Sequence, residues 1–130
     1  ERGGVVGATC ITSFLKTGRA STLEDYADAI ERMVELVGID HVGIGTDFTQ
    51  DQTDDFWRYI GSQQGTSFPA TFIDSTVIES WDEHYPERLK TPDDMPGLAP
   101  ALLQRGYSEG DVAKLLGGNW MRLFREVWAD

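Results

Sequence analysis

The sequence is poor in the features that mark several classes of protein. Its single cysteine, Cys10, has no partner for an intrachain disulfide bond, which excludes a disulfide-stapled scaffold. The 11 basic residues are outnumbered by 22 acidic ones, and the net charge of −11 argues against nucleic acid and anionic membranes as partners, because both would be repelled. No apolar run reaches the ~18 residues that a membrane-spanning helix needs, so no transmembrane segment is predicted.

Motifs that bind cofactors are also scarce. No glycine-rich phosphate loop is present, since the Gly-Ile-Gly at 43–45 lacks the third glycine of a dinucleotide fingerprint and lies within a predicted strand. The two histidines, His41 and His84, have no cysteine or further histidine at metal-ligand spacing, and we interpret His84 as a solvated loop residue. No histidine close in sequence could activate Cys10, which is predicted to be a buried small apolar residue. The sequence therefore predicts no metal site within this chain alone.

The composition that remains is that of a globular domain. Apolar residues make up 40% and charged residues 25% of the 130 positions, which is typical of a chain with a packed core. The sequence starts at Glu1 and enters an apolar segment almost at once, with neither an initiator methionine nor a signal sequence. From this start we expect a fragment of a longer protein.

The first third of the chain has the pattern of a strand, a helix and a second strand. Residues 4–11 are apolar and rich in β-branched side chains, as in a strand buried on both faces of a parallel sheet. Thr22 and Asp25 approximate a capping box for an amphipathic helix over residues 23–37. A second strand is predicted over residues 41–47. A βαβ unit of this kind places its two strands in parallel.

The rest of the chain predicts a long loop followed by helices. Residues 48–94 lack a regular pattern, apart from a short helix that Asp74 or Ser75 could cap and that would end at Trp81. This loop could be a lid over a substrate, a protein interface or a segment folded onto its own domain. Its aromatic residues are Phe56, Trp57, Tyr59, Phe68, Phe72, Trp81 and Tyr85. Further helices are predicted over residues 98–105, 108–116 and 120–128, the last of them capped by Asn119.

Asp47 is the residue that most invites a catalytic interpretation. In a strand over 41–47 it shares a face with Gly43 and Gly45 and lies at the carboxyl end, where barrel enzymes place their catalytic groups. His41 shares that face, but at about 3.3 Å per residue it lies ~20 Å from Asp47, too far for one metal ion, and we assign it a structural hydrogen bond. From the residues alone, Asp47 is either a catalytic carboxylate or a turn residue, and turn residues are the more common of the two.

Two stretches of the chain resemble a known family. Residues 38–48, Gly-Ile-Asp-His-Val-Gly-Ile-Gly-Thr-Asp-Phe, resemble the GxDHVGIGSDFDG signature of the membrane (renal) dipeptidase family, peptidase family M19, a branch of the amidohydrolase-type TIM barrels. Residues 118–124 are similar to that family's C-terminal GxNxLRV element, and residues 5–15 lie where its preceding strand should be. After Phe48 the sequence departs from the signature, since Thr49-Gln50 replace Asp-Gly, and this affects the expected loop shape and substrate preference.

The resemblance implies an α/β fold that is the C-terminal part of a (β/α)₈ TIM barrel. Residues 1–130 would supply the last two parallel strands, a long final βα loop (48–94) over the active-site face, and the C-terminal helices. A whole barrel takes about 250 residues, so this chain cannot close one. The family likeness assigns structural roles to Asn119 and Arg122, as a helix cap and as a packing or ion-pair residue.

The activity implied by the resemblance is zinc-dependent hydrolysis of dipeptides. Two zinc ions would be held by ligands on earlier strands, outside this chain. The family's aspartate at the end of the last strand falls on Asp47, which would transfer protons and, with Phe48, face the substrate. By this reasoning the chain alone neither binds zinc tightly nor hydrolyses anything.

Other partners and functions follow from the same features. Exposed sheet edges predict that the chain pairs with the missing N-terminal part of the barrel or self-associates, for example as a homo-oligomer. One alternative function is a metallo-hydrolase that acts on another amide or on a lactone. A second is a non-catalytic, barrel-derived binding or assembly module that uses the aromatic loop.

Overall fold

A parallel pair of short strands lies at the centre of the molecule. The computed structural model describes residues 3–48, 53, 55 and 84–129. In these residues β1 (Val6–Ala8) pairs with β2 (Val42–Ile44), with Val6 opposite Val42 and Ala8 opposite Ile44. The predicted α/β class and parallel pairing are therefore confirmed.

Both strands are shorter than the sequence predicted. β1 occupies three of the residues 4–11, and the chain enters a 3-10 turn at Thr12–Phe14 soon after it. β2 was predicted over 41–47, but His41 belongs to the 3-10 turn Ile39–His41, and the backbone of Asp47 has a φ of 60°. Because a strand cannot continue through a left-handed residue, β2 and the alternation of its side chains end before Asp47.

Helix α1 (Leu23–Val37) begins and ends where the sequence predicted. The Asp25 carboxylate accepts a hydrogen bond from the Thr22 N–H at 2.8 Å, and the Asp25 N–H donates to the Thr22 hydroxyl at 3.4 Å, which completes the capping box. Gly38 ends the helix with a φ of 89°, a conformation that favours glycine. The capping signals in the sequence are therefore confirmed.

The core lies between α1 and one face of the sheet. Tyr26, Ile30 and Val42 are fully buried there, and the Tyr26 hydroxyl donates a 2.6 Å hydrogen bond to the Ala8 carbonyl. Burial of Tyr26 raises the pKa of its phenol, so the hydroxyl remains a donor at every physiological pH. The α1 crossover is thus held to the strand pair by apolar packing and by one buried hydrogen bond.

The C-terminal part is helical, as predicted. A 3-10 helix (Pro92–Gly97) leads into α2 (Leu98–Gln104), and α3 (Glu109–Ala113) is followed by a kink at Gly117, with φ 160° and ψ −18°, before α4 (Asn119–Val127). Asn119 was predicted to cap the last helix, and this is wrong, because its φ and ψ of −65° and −40° place it inside the helical run. Its side-chain amide instead donates to the Ile39 and Val42 carbonyls, each at 2.7 Å.

Residues 84–94, the described end of the predicted 48–94 loop, pack against the rest of the chain. Tyr85 and Leu89 are buried, and the Glu87 N–H donates to the Ser21 carbonyl at 2.9 Å, beside the start of α1. His84 was predicted to be solvated, but it is half-buried and its Nε2 atom is shielded from solvent, because it adjoins this packed segment. The predicted short helix at 75–81 and the loop aromatics from Phe56 to Trp81 lie outside the described residues.

Among the described residues, no helix combines the length and apolar character that crossing a membrane requires.

Candidate active site

Asp47 lies three residues beyond β2 with an exposed side chain and an unusual backbone. Its φ of 60° is in the left-handed region, which is uncommon for residues other than glycine. The conformation costs roughly 1–2 kcal/mol for an L-residue, so neighbouring contacts must hold it in place. Strained residues of this kind are concentrated at active sites and ligand-binding turns, and the backbone supports the choice of Asp47 as a candidate.

Buried side chains hold the backbone carbonyls before and after the Cα of Asp47. The Cys10 thiol, which follows β1, donates to the Thr46 carbonyl at 3.1 Å. The Tyr85 hydroxyl donates to the Asp47 carbonyl at 2.6 Å. Phe48 meets the Tyr85 ring edge-on, with 5.0 Å between ring centroids and 74° between planes. The end of β2 is thus held by residues from two other segments of the chain.

Cys10 is not a nucleophile. Burial raises the pKa of its thiol to about 12, and the nearby charge of Asp47 acts in the same direction. Because the thiolate is the reactive form, the protonated and buried thiol is inert at neutral pH. The interpretation of Cys10 as a buried small residue is confirmed by its complete burial.

The face of the sheet opposite α1 is formed by backbone and an indole ring. A Cβ on Gly43 would lie 2.8 Å from Cδ1 of Trp120, and a Cβ on Gly45 would lie 3.0 Å from the Cα of Gly7. The Trp120 indole N–H donates to the Ile44 carbonyl at 2.9 Å. The glycines therefore allow α4 to place an aromatic ring directly on the strands.

His41 and Arg122 have structural roles, as the sequence predicted. The His41 ring nitrogen Nδ1 is 2.8 Å from the Gly4 carbonyl oxygen, at the amino-terminal end of the strands and away from Asp47. The Arg122 guanidinium donates to the Gly3 carbonyl at 3.1 Å and the Asp40 carbonyl at 3.0 Å, and pairs with Glu126 at 3.3 Å. Both residues tie the beginnings of the strands to neighbouring segments.

In the part of the chain that the structure describes, no three or more His, Cys, Asp or Glu side chains form a group that could hold a metal ion. Asp47 therefore belongs to no such group among those residues. The described part of the site is one exposed carboxylate at the end of a strand, with an aromatic neighbour, Phe48, and a buried tyrosine, Tyr85, behind it.

Sequence reasoning missed the contribution of Tyr85 and Trp120. Tyr85 stood among the aromatics of an unpatterned loop, 38 residues from Asp47, and Trp120 was one residue of an amphipathic helix. The one available signal was the pair of glycines, Gly43 and Gly45, since glycine within a strand often marks the close approach of another group. It did not identify which side chain would approach.

Comparison with known proteins finds one matching family and two similar curated proteins. Residues 1–59 match the sequence model of membrane dipeptidase (peptidase family M19). The chain is 30% identical to Dipeptidase aclJ of Aspergillus oryzae over 83% of its own length and 18% of that protein. It is 26% identical to an uncharacterized protein from the pqqA 5′ region of Klebsiella pneumoniae, over 98% of its own length and 37% of that protein. The chain therefore spans well under half the length of these curated relatives.

Two solved structures are similar to this chain along nearly its whole length. An amidohydrolase from Pseudomonas aeruginosa superposes with a TM-score of 0.83 at 39% identity, over 98% of this chain and 37% of that one. Dipeptidase AC, a metallopeptidase of family M19, superposes with a TM-score of 0.58 at 25% identity, over 98% of this chain and 30% of that one. The resemblance seen in residues 38–48 is thereby confirmed, and the chain is related to the enzymes of the membrane dipeptidase family, peptidase family M19.

Proposed function

We propose that this chain is the C-terminal part of a metal-dependent dipeptidase and that Asp47 is its proton-transferring, substrate-facing carboxylate. One observation carries the proposal most directly. Asp47 stands exposed three residues beyond a parallel strand, with a left-handed backbone, inside the stretch that resembles the family signature. Phe48, the next residue, would line the substrate site beside it.

The proposed architecture is the last portion of a (β/α)₈ barrel. The α1 crossover, the parallel pairing of β1 with β2, and coverage of only 37% of the Pseudomonas aeruginosa amidohydrolase all support it. In such a barrel the face covered by α1 would be the outside. Residues 48–94 would then cross the carboxyl ends of the strands as a long βα loop, over the active site.

The chemistry assigned to Asp47 is that of a positioned base and acid. Hydrolysis of a peptide bond requires a proton to leave the attacking water and a proton to reach the departing amine. A carboxylate beside the scissile bond can accept the first at one of its oxygens and return it to the leaving nitrogen. The same negative charge can pair with the α-ammonium group of a dipeptide, which would orient the substrate with its amino end toward Asp47.

The residues described do not themselves form a site for the zinc that the family resemblance implies. They contain no cluster of ligands around Asp47, and the two ions proposed for the whole enzyme would bind residues outside this chain. We therefore expect the purified 130-residue chain neither to retain zinc nor to hydrolyse dipeptides. Metal analysis after dialysis and a dipeptide assay test this, and stoichiometric zinc or turnover would contradict it.

The decisive experiment replaces Asp47 in the longer protein that contains this sequence. Asp47→Asn keeps the size of the side chain but removes its ability to accept a proton. We expect kcat/KM for dipeptides to fall by about 10²–10⁴-fold. Asp93→Asn is the matched control, because Asp93 is also exposed but lies in the 3-10 helix before α2. Equal activity of the Asp47 variant and the control would refute the proposed role.

A second candidate reaction is hydrolysis of another amide or of a lactone. The observation that favours it is the higher identity to the Pseudomonas aeruginosa amidohydrolase, 39%, than to dipeptidase AC, 25%. The departure from the family signature at Thr49-Gln50 also falls where substrate preference would be decided. Comparison of kcat/KM for dipeptides, N-acyl amino acids and lactones with the longer protein separates the two reactions.

A further inference from the structure

We propose that Tyr85 is a positioning residue, which holds the backbone of Asp47 in its left-handed conformation and so aims the carboxylate. The inference rests on the proposed role of Asp47 for its functional meaning. The structural claim, that Tyr85 holds the backbone of Asp47, does not depend on that role and can be tested by itself. Tyr85 does not belong to either stretch that carries the family resemblance.

The contact between the two residues is direct and buried. The Tyr85 hydroxyl donates to the Asp47 carbonyl at 2.6 Å, while only 3% of Tyr85 is exposed. The ring of Tyr85 also packs edge-on against Phe48, which follows Asp47 in the chain. Tyr85 therefore contacts the peptide unit that leaves Asp47 through its hydroxyl and the following side chain through its ring, and both contacts restrict rotation there.

Tyr85 can act as a support because its own segment is fixed. The next residue but one, Glu87, donates its N–H to the Ser21 carbonyl at 2.9 Å and forms an isolated parallel bridge with Thr22. Leu89 is fully buried in the core. The segment is thus attached to the start of α1. Tyr85 therefore connects Asp47 to the same helix that packs on β1 and β2.

The left-handed backbone of Asp47 is the feature that this support stabilises. A side chain disfavours a φ of 60°, and although aspartate adopts this region more readily than most residues, contacts around Asp47 are needed to hold it there firmly. Three residues beyond the end of β2, no strand pairing holds it. The restraints that favour the observed conformation are the two contacts of Tyr85, its hydrogen bond to the Asp47 carbonyl and its ring contact with Phe48, together with the Cys10 thiol at the Thr46 carbonyl.

The test compares Tyr85→Phe with Tyr107→Phe in the 130-residue chain by NMR. A residue with positive φ has a short distance between its amide and α protons, and so gives a strong intraresidue NOE. We expect this NOE of Asp47 to weaken in Tyr85→Phe and to persist in Tyr107→Phe, whose ring follows α2 and lies near Glu31 and Asp111. An unchanged NOE in Tyr85→Phe would overturn the proposal.

A second variant covers the case in which Tyr85→Phe does not fold. Phe48→Leu removes the ring that packs on Tyr85 and leaves Asp47 and the Tyr85 hydroxyl intact. It should weaken the same NOE of Asp47, and full retention of that NOE would again overturn the proposal.

Kinetics in the longer protein distinguish positioning from a general effect on folding. Tyr85→Phe should lower kcat/KM by about ten- to hundredfold, as expected when a catalytic group is displaced. In an Asp47→Asn background it should have no further effect, because Tyr85 acts through Asp47. If the two substitutions lowered kcat/KM independently, so that their effects multiplied, Tyr85 would not act through Asp47 and the positioning role would be refuted. If Asp47→Asn is itself harmless, the proposed function fails, while the NMR result on Tyr85 still stands.

Discussion

The contact between Trp120 and the strands depends on the absence of a side chain at Gly43. Gly43 and Gly7 present bare backbone to the indole ring, which lies on both and donates to the Ile44 carbonyl. Protein interiors are close-packed, and a ring seated on backbone has no room for an added methyl group. Glycine at position 43 is therefore required by packing, independently of any catalytic role.

Gly43→Ala should destabilise the chain by about 1–3 kcal/mol, because the new methyl group overlaps the Trp120 indole. Urea unfolding monitored by tryptophan fluorescence measures the loss. Gly4→Ala is the matched control, since a Cβ at Gly4 has no atom within 4 Å, and it should leave the free energy of unfolding nearly unchanged. Equal effects of the two substitutions would contradict this account of the glycine face.

At the scale of elements, two helices begin with the same capping box. Thr22 with Asp25 begins α1, and Thr91 with Asp94 begins the 3-10 helix before α2. In each pair the carboxylate accepts backbone N–H bonds, from Thr22 in the first and from Lys90 and Thr91 in the second. These bonds favour the charged form and lower the pKa of both carboxyl groups below their ordinary value.

The two capping carboxylates should make the chain sensitive to acid. Because each pKa is lower in the folded than in the unfolded state, their stabilisation is present above the unfolded pKa of about 3.9 and is lost as pH falls through the folded pKa. Urea unfolding between neutral pH and pH ~3 should show this fall. Asp25→Asn should flatten the acid limb and Asp93→Asn should not, and an identical limb in both variants would argue against the capping carboxylates as its cause.

The helices differ in how far local sequence determines them. The start, the apolar stripe and the end of α1 could all be predicted from the sequence, because each depends on residues within about four positions. Gly117-Gly118 predicted a break with Asn119 as a new cap, and the backbone does kink at Gly117, but Asn119 lies beyond the kink in a helical conformation. Asn119 lies inside the run because its amide reaches carbonyls 77 and 80 residues away, and no local pattern contains that information.

At the scale of the whole molecule, α4 exposes an aromatic column. Trp120, Phe124 and Trp128 stack in sequence, with ring centroids 6.0 Å and 4.6 Å apart, and Trp128 is 71% exposed. The described sheet has two strands, so each has an unpaired edge within that part of the chain. Both features are typical of surfaces that associate.

The purified chain should therefore associate with itself. Sedimentation should give a mass above the 14.5 kDa of one chain at micromolar concentration, and Trp128→Glu should shift it toward 14.5 kDa, because a charge on the aromatic column opposes association. Leu36→Glu is the control, since Leu36 is similarly exposed but lies on α1. A monomeric unmodified chain, or equal shifts in both variants, would contradict the assignment to α4.

The sequence by itself determined the strand–helix–strand order, the caps of α1, the inert Cys10, the place of Asp47 after a strand and the likeness to the membrane dipeptidase family. These depend on short-range periodicity, capping chemistry and a contiguous motif. Only the tertiary structure decided that Asp47 is left-handed, that the Tyr85 hydroxyl donates to its carbonyl, and that Asn119 and Trp120 bind the carbonyls of β2. Each of those contacts joins residues dozens of positions apart, and their geometry is decided by how the core packs.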